Sequence, residues 1–220
     1  MAVDEHAIDA CRENLCREER ERADRYVFPK HRRRFIVGRG LLRTLLGRYL
    51  GVPSKAVSFS YSEFGRPFLP NEDIQFNVSH SGEIALYGFA RNAGIGIDIE
   101  CVRPIGIMEI AGRFFSPNEC ESLAMVPEHV QEAAFYRCWT RKEAYLKAKG
   151  LGLQTPLDSF TVSLDADRPA LLSVDGDPEE SGRWNFANIN TGPNAVGVVV
   201  FSGSPRRVVE RAISASEVVV

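Results

Sequence analysis

Ile95-Gly96-Ile97-Asp98-Ile99-Glu100 is the stretch from which the rest of the chain can be read. Isoleucine alternates with Gly96, Asp98 and Glu100, the period-two pattern of a strand with one buried face. Three isoleucines then enter a core, while the two carboxylates leave the opposite face roughly 7 Å apart. Gly96, on the carboxylate face, predicts open space where a bulky ligand can approach. A second segment, Trp139-Thr140-Arg141-Lys142-Glu143-Ala144-Tyr145-Leu146-Lys147, has helical spacing. Trp139, Glu143 and Lys147 recur at i, i+4 and i+8, so an aromatic, an acid and a base share one stripe. Three carboxylates and a lysine suit a divalent cation that holds phosphate oxygens, as magnesium does. Taken singly, each motif also fits a solvated strand face or an ordinary i,i+4 surface pair.

The totals narrow the class. With 220 residues, 44% of them hydrophobic, the chain can bury a substantial core as one large domain or two small ones. A net charge of −2 supplies no global field to recruit nucleic acid or anionic membrane. Arginines at 17, 20, 22, 25 and 32 to 34 leave room for a local anion site within this neutral whole. Five cysteines form no CxxC pair and leave an odd one, which argues against a disulfide framework or a structural zinc site. The N-terminus is charged and lacks the apolar core of a signal peptide. The longest apolar stretch, around Val196 to Phe201, is too short to span a bilayer. These readings predict a soluble, cytoplasmic protein.

Along the chain, residues 4–26 read as one charged helix, and an amphipathic helix follows Pro29 and ends at Gly51. Strands are expected at 57–61 and 74–79, with the Phe64-Gly65-Arg66-Pro67 turn between them. Residues 83–90 and 94–100 read as a hairpin closed by Asn92-Ala93-Gly94. The second half repeats the order. Helices are expected at 106–113, 117–125 and 130–149, then strands at 159–164, 170–174, 183–190 and 195–202, and a last one at 206–214. Helix-then-strands twice over predicts an α+β fold of two pseudo-symmetric halves, 1–101 and 102–220, with a shared site in the cleft between them.

A third motif, Phe76-Asn77-Val78-Ser79-His80-Ser81, ends a strand in a polar cluster that can bind phosphate through hydroxyl, imidazole and backbone donors. It can equally be a turn cluster. Adjacent strand residues point in opposite directions, so Ser79 and His80 do not form a nucleophile and its base.

In order, GRPFLP, FNVSHS, IGIDIE and WTRKEAYLK resemble the 4′-phosphopantetheinyl transferases of the surfactin-synthetase-activating (Sfp) type. The resemblance runs from about residue 15 to 165 and is strongest in the last two motifs. It implies an enzyme that moves the phosphopantetheine arm of coenzyme A onto a serine of an acyl or peptidyl carrier protein, an acidic helical domain, and releases 3′,5′-ADP. It also implies Mg²⁺, or Mn²⁺, as cofactor, and a monomer acting in fatty-acid, polyketide or nonribosomal peptide synthesis. By position, Asp98, Glu100 and Glu143 match the metal-binding acids. Glu143 and Lys147 match the catalytic pair, a base for the carrier serine and a cation for the leaving phosphate. Arg66, Pro67, Asn77, Ser79, His80 and Lys147 match coenzyme A contacts, and Arg22 and Arg34 match basic contacts to its 3′-phosphate. Glu119, Trp139 and Lys142 are further candidates, with Lys142 facing about 100° away from Glu143 around the helix. Two other readings are a non-catalytic coenzyme A-binding regulator, which predicts a damaged acid set, and a magnesium-dependent phosphohydrolase, which needs no protein acceptor.

Overall fold

Asp4 accepts a hydrogen bond from the Ala7 N–H and caps the first helix, α1 (Glu5–Glu13). The structure, a computed structural model, describes residues 4–150 and 155–214. The single helix expected over 4–26 is two helices. The chain breaks at Asn14 to Cys16, which turns Leu15 into the core, and α2 (Arg17–Asp24) restarts with Glu19 accepting from the Cys16 N–H. Pro29 then opens α3 (Pro29–Leu50), where a missing N–H loses nothing. Glu19 is buried between Arg39 and Arg43 of α3, at 3.2 and 2.5 Å. Arg43 also donates to the carbonyls of Ser54 and Val57, which keeps Val57 out of the strand expected at 57–61.

Packing divides the chain into two compact units. One holds residues up to Phe59 with the segment from Glu210, and the other holds Ser60–Val209. These units divide the chain by packing, whereas the expected halves divide it by order of elements.

The second unit begins with the short hairpin β1 (Ser60–Tyr61) and β2 (Pro67–Phe68), followed by the antiparallel pair β3 (Ile74–Ser81) and β4 (Ile84–Arg91). After β5 (Ile95–Cys101) come the helices α4 (Ile107–Phe114), α5 (Pro117–Met125) and α6 (Glu128–Lys149). Then follow β6 (Phe160–Val162), β7 (Leu171–Val174), β8 (Trp184–Ile189) and β9 (Ala195–Ser202). The expected hairpin of residues 83–90 with 94–100 does not form. β5 pairs instead with β9, from Ile95 opposite Phe201 to Cys101 opposite Ala195, in an antiparallel sheet of order β5-β9-β8. Gly94 fixes that choice: its N–H donates to Ser202 Oγ at 2.8 Å, and its carbonyl accepts from the Ser202 N–H at 3.0 Å. Residues 206–214 form no strand; they are exposed throughout, so Val208 and Val209 have no core face to join.

Both faces of β5 are covered. Ile95 and Ile97 pack with Val199 and Phe201 against Leu86 and Ala90. The other face lies under α6, within a core that includes Phe135, Tyr145, Leu146, Val198 and Val200. The space expected beside Gly96 is therefore filled. A Cβ there would lie 2.0 Å from the Ala144 carbonyl and 2.4 Å from the Ala148 nitrogen, so the missing side chain admits helix backbone and not a ligand.

The fold is α+β, and its order repeats. α3 and α6 are each 22 residues long and each stops at a glycine in the left-handed region, Gly51 and Gly150. The helices begin at 29 and 128, β4 and β8 at 84 and 184, and β5 and β9 at 95 and 195, so corresponding intervals agree within one residue.

Candidate active site

β5 receives no backbone ladder from β3; side chains take its place. Asn77, Ser79 and Ser81 share one face of β3, and each accepts a β5 N–H. Asn77 Oδ1 accepts from Ile97 at 2.9 Å, Ser79 Oγ from Ile99 at 3.4 Å, and Ser81 Oγ from Cys101 at 3.0 Å. Each serine hydroxyl then donates to a carboxylate of β5, Ser79 to Asp98 at 2.8 Å and Ser81 to Glu100 at 2.9 Å. The two acids are thus aimed by the strand opposite, one serine apiece. Ser81 was not singled out from the sequence. Its signal was there in three polar side chains at i, i+2 and i+4 of a strand, all of which need partners.

From the helix side, Glu143 and Lys147 come down on the same acids. Lys147 donates to Asp98 Oδ1 at 2.5 Å and lies 3.4 Å from Ser79 Oγ. The other oxygen, Asp98 Oδ2, is buried without a hydrogen-bond partner. Burial pushes the Glu143 carboxyl above the ordinary carboxylate range. Lys147 lowers it, and the negative charges of Asp98 and Glu100 raise it again. The three acids therefore act on one another as a cluster. They line a cavity of about 800 Å³ together with Ser79, His80 and Lys147. Trp139 and Phe114 form its apolar wall, edge to face with centroids 5.9 Å apart. Trp139 is further held by Phe135 and Phe115 at 6.1 and 6.5 Å.

Among the described residues, no group of three or more His, Cys, Asp or Glu side chains stands in metal-holding geometry, and Lys147 is paired with Asp98. The chemistry of the donor set nevertheless fits a hard cation. Three carboxylates converge on one cavity, and one buried carboxylate oxygen is unspent.

The other candidate residues have partners of their own. Glu119 and Lys142 do not line the cavity. They form an ion pair at 2.8 Å with both side chains fully buried. Glu119 also accepts from the Ser116 and Val162 N–H groups, and Lys142 donates to the Leu157 and Phe160 carbonyls. Together they tie α5, α6 and β6 into one frame. Arg66 turns its guanidinium onto the carbonyls of Lys147, Phe76 and Ile95. Pro67 sits in β2 opposite Tyr61. Arg22 and Arg34 belong to the first unit, where Arg22 is exposed over the Phe35 ring at 5.1 Å and Arg34 is half-buried.

With this geometry in place, comparison with known proteins defines the class. A family model described as the 4′-phosphopantetheinyl transferase superfamily matches residues 94–199, and one described as 4′-phosphopantetheinyl transferase, N-terminal, matches residues 4–88. The chain is 39% identical over 194 residues to 4′-phosphopantetheinyl transferase HetI of a Nostoc species, covering 86% of this chain and 79% of that one. It is 38% identical over 151 residues to 4′-phosphopantetheinyl transferase Sfp of Bacillus subtilis, covering 68% and 66%. It is 35% identical over 178 residues to a putative 4′-phosphopantetheinyl transferase of a Synechocystis species, covering 79% and 71%. The chain belongs to the 4′-phosphopantetheinyl transferase superfamily and is a transferase.

Proposed function

We propose that this protein moves the 4′-phosphopantetheine arm of coenzyme A to a serine of an acyl or peptidyl carrier protein, with Asp98, Glu100 and Glu143 holding a divalent cation, Mg²⁺ or Mn²⁺. The observation that carries this reading is the unspent, buried Asp98 Oδ2 beside two further carboxylates and a lysine in one cavity. When bound, the cation supplies charge neutralisation for the pyrophosphate and polarises the phosphorus under attack.

The side chains divide the remaining work. Glu143, which lines the cavity beside Lys147, accepts the proton of the carrier serine. The serine oxygen bonds to the phosphorus that carries the pantetheine arm. The bond from that phosphorus to the bridging oxygen breaks, and 3′,5′-ADP leaves with the electron pair. Lys147 stabilises the charge that gathers on the departing phosphate. Ser79 holds Asp98 in place, and exposed His80 offers the nucleotide a donor from the same wall. The contacts of Arg22 and Arg34 to the 3′-phosphate remain part of this proposal, as do the halves 1–101 and 102–220, supported by the repeated element intervals. Exposed Met108 and Phe114, with Phe114 reaching the cavity wall, suit an apolar landing place for the carrier. Arg113 beside Phe114 suits an acidic partner. No helix among the described residues is long and apolar enough to cross a membrane. A monomer in the cytoplasm completes the reading.

The test is the intact mass of an apo carrier protein after incubation with this protein, Mg²⁺ and coenzyme A. A gain of about 340 Da, absent with chelator and with Glu143→Gln, is expected if the metal-held acid is essential. Coenzyme A bound with no carrier modified would favour a regulator, and coenzyme A consumed with no carrier modified would favour a hydrolase.

A further inference from the structure

Lys147 is gripped at both ends. Its ammonium meets Asp98, and its carbonyl accepts from Arg66 Nη1. That carbonyl lies in the last turn of α6, where it also takes a long contact of 3.3 Å from the Gly150 N–H and where a cation is favoured by the helix dipole. Arg66 Nη2 donates to the Ile95 carbonyl at 3.0 Å and lies 3.4 Å from the Phe76 carbonyl. One guanidinium therefore joins the end of α6 to the starts of both strands that carry and aim the acids. It is presented by a hairpin tip that closes on itself. The Ser62 N–H donates to the Arg66 carbonyl at 2.9 Å, and the Arg66 N–H donates to Ser62 Oγ at 3.1 Å. Nearby, the contact of Gly96 with Ala144 and Ala148 sets how closely α6 lies on β5, but a bare glycine cannot stop the helix from sliding.

We propose that Arg66 is a positioning residue: it caps α6 and fixes the register of Glu143 and Lys147 against Asp98 and Glu100, rather than serving chiefly as a nucleotide contact. Three carbonyls in a planar fork suit arginine, whereas a lysine ammonium is a point donor that cannot span them. Burial pushes the guanidinium pKa down, and an arginine keeps its charge in proteins.

The inference rests on the transferase reading only for its kinetic arm. Arg66→Lys and Arg66→Ala are compared with the unaltered protein by carrier modification at varied coenzyme A and by hydrogen exchange along α6. The expected result is a fall in kcat of about 10- to 100-fold, since an ångström of misplacement is worth that much. The KM for coenzyme A stays within about threefold, the lysine variant lies between the other two, and exchange quickens in the last turn of α6. A tenfold or larger rise in KM with kcat kept would make Arg66 a nucleotide contact and overturn the proposal, as would unchanged exchange in the last turn of α6. If the alanine variant does not fold, the lysine variant carries the same two readouts. If the unaltered protein modifies no carrier, the transferase reading fails, and the exchange result alone decides the clamp.

Discussion

Two lysines five residues apart on α6 each meet a buried acid, and the two pairs could hardly be more different. Lys142 and Glu119 are both fully buried, and each has its remaining capacity met by backbone groups. Lys147 keeps a side chain 30% exposed, and its partner Asp98 is buried with one oxygen unmet. A saturated pair has nothing left to offer a ligand, so it is architecture. An unsaturated pair at a cavity wall is a place where something else binds. The WTRKEAYLK motif thus contains both a frame and a site.

The largest effect should come from breaking the saturated pair. Lys142→Met strands a buried carboxylate and should lower unfolding free energy by about 3–5 kcal/mol in urea titration. Adding Glu119→Gln should return a good part of that loss. Next, Lys147→Ala should lower carrier modification about 10²- to 10³-fold at saturating coenzyme A, with a smaller loss of stability than Lys142→Met, since Lys147 is 30% exposed and Asp98 keeps its bond from Ser79. With the competing ammonium gone, Mg²⁺ should raise the Tm of this variant more than that of the unaltered protein. If both variants behaved alike, the contrast between frame and site would collapse.

A third pair on the same helix sharpens the comparison. Glu180 accepts from Lys149, Tyr145 and Trp184 at 2.8, 2.8 and 3.0 Å. Burial raises its carboxyl, but these hydrogen bonds outweigh burial and hold its pKa at about 2, below the ordinary 4.5. A depressed folded-state value stabilises the fold fully above pH 4.5 and ceases to do so as pH falls to about 2. Glu180→Gln should therefore cost about 2 kcal/mol at neutral pH, and melting curves of the two proteins should converge toward pH 2. Smallest of the set, Ser116→Ala removes the cap that holds Glu119 in its box and should cost about 1 kcal/mol by the same titration, with transfer activity unchanged.

The sequence made the local elements legible and hid the long-range ones. Ile95 to Glu100 announced a strand by alternation alone, and the helical stripe placed Trp139, Glu143 and Lys147 on one cavity wall. The angle around α6 set Lys142 apart from Glu143, but nothing local named Glu119 as its partner. That pairing depends on how α5 crosses α6. The pairing of β5 failed for a similar reason. Hairpin logic favours the neighbour in sequence, and it has no way to see Ser202 waiting for Gly94. Gly96 misled because absence of a side chain says only that something comes close. Here the visitor is the backbone of α6. Arg66 is matched to a coenzyme A contact by resemblance, and the carbonyl oxygens of three elements that it also joins leave no trace in the motif.

The pairing of β5 with β9 also bears on how the protein is made. A ribosome delivers Asp98 and Glu100 early, yet the strand that completes their sheet, Ala195–Ser202, emerges about a hundred residues later. Until then the acid-bearing strand has an open edge, and its register rests on three side chains of β3. A nascent chain stalled before residue 195 would carry every acid of the site but lack the sheet partner that aligns their strand, so competence for chemistry should arrive late in synthesis and all at once.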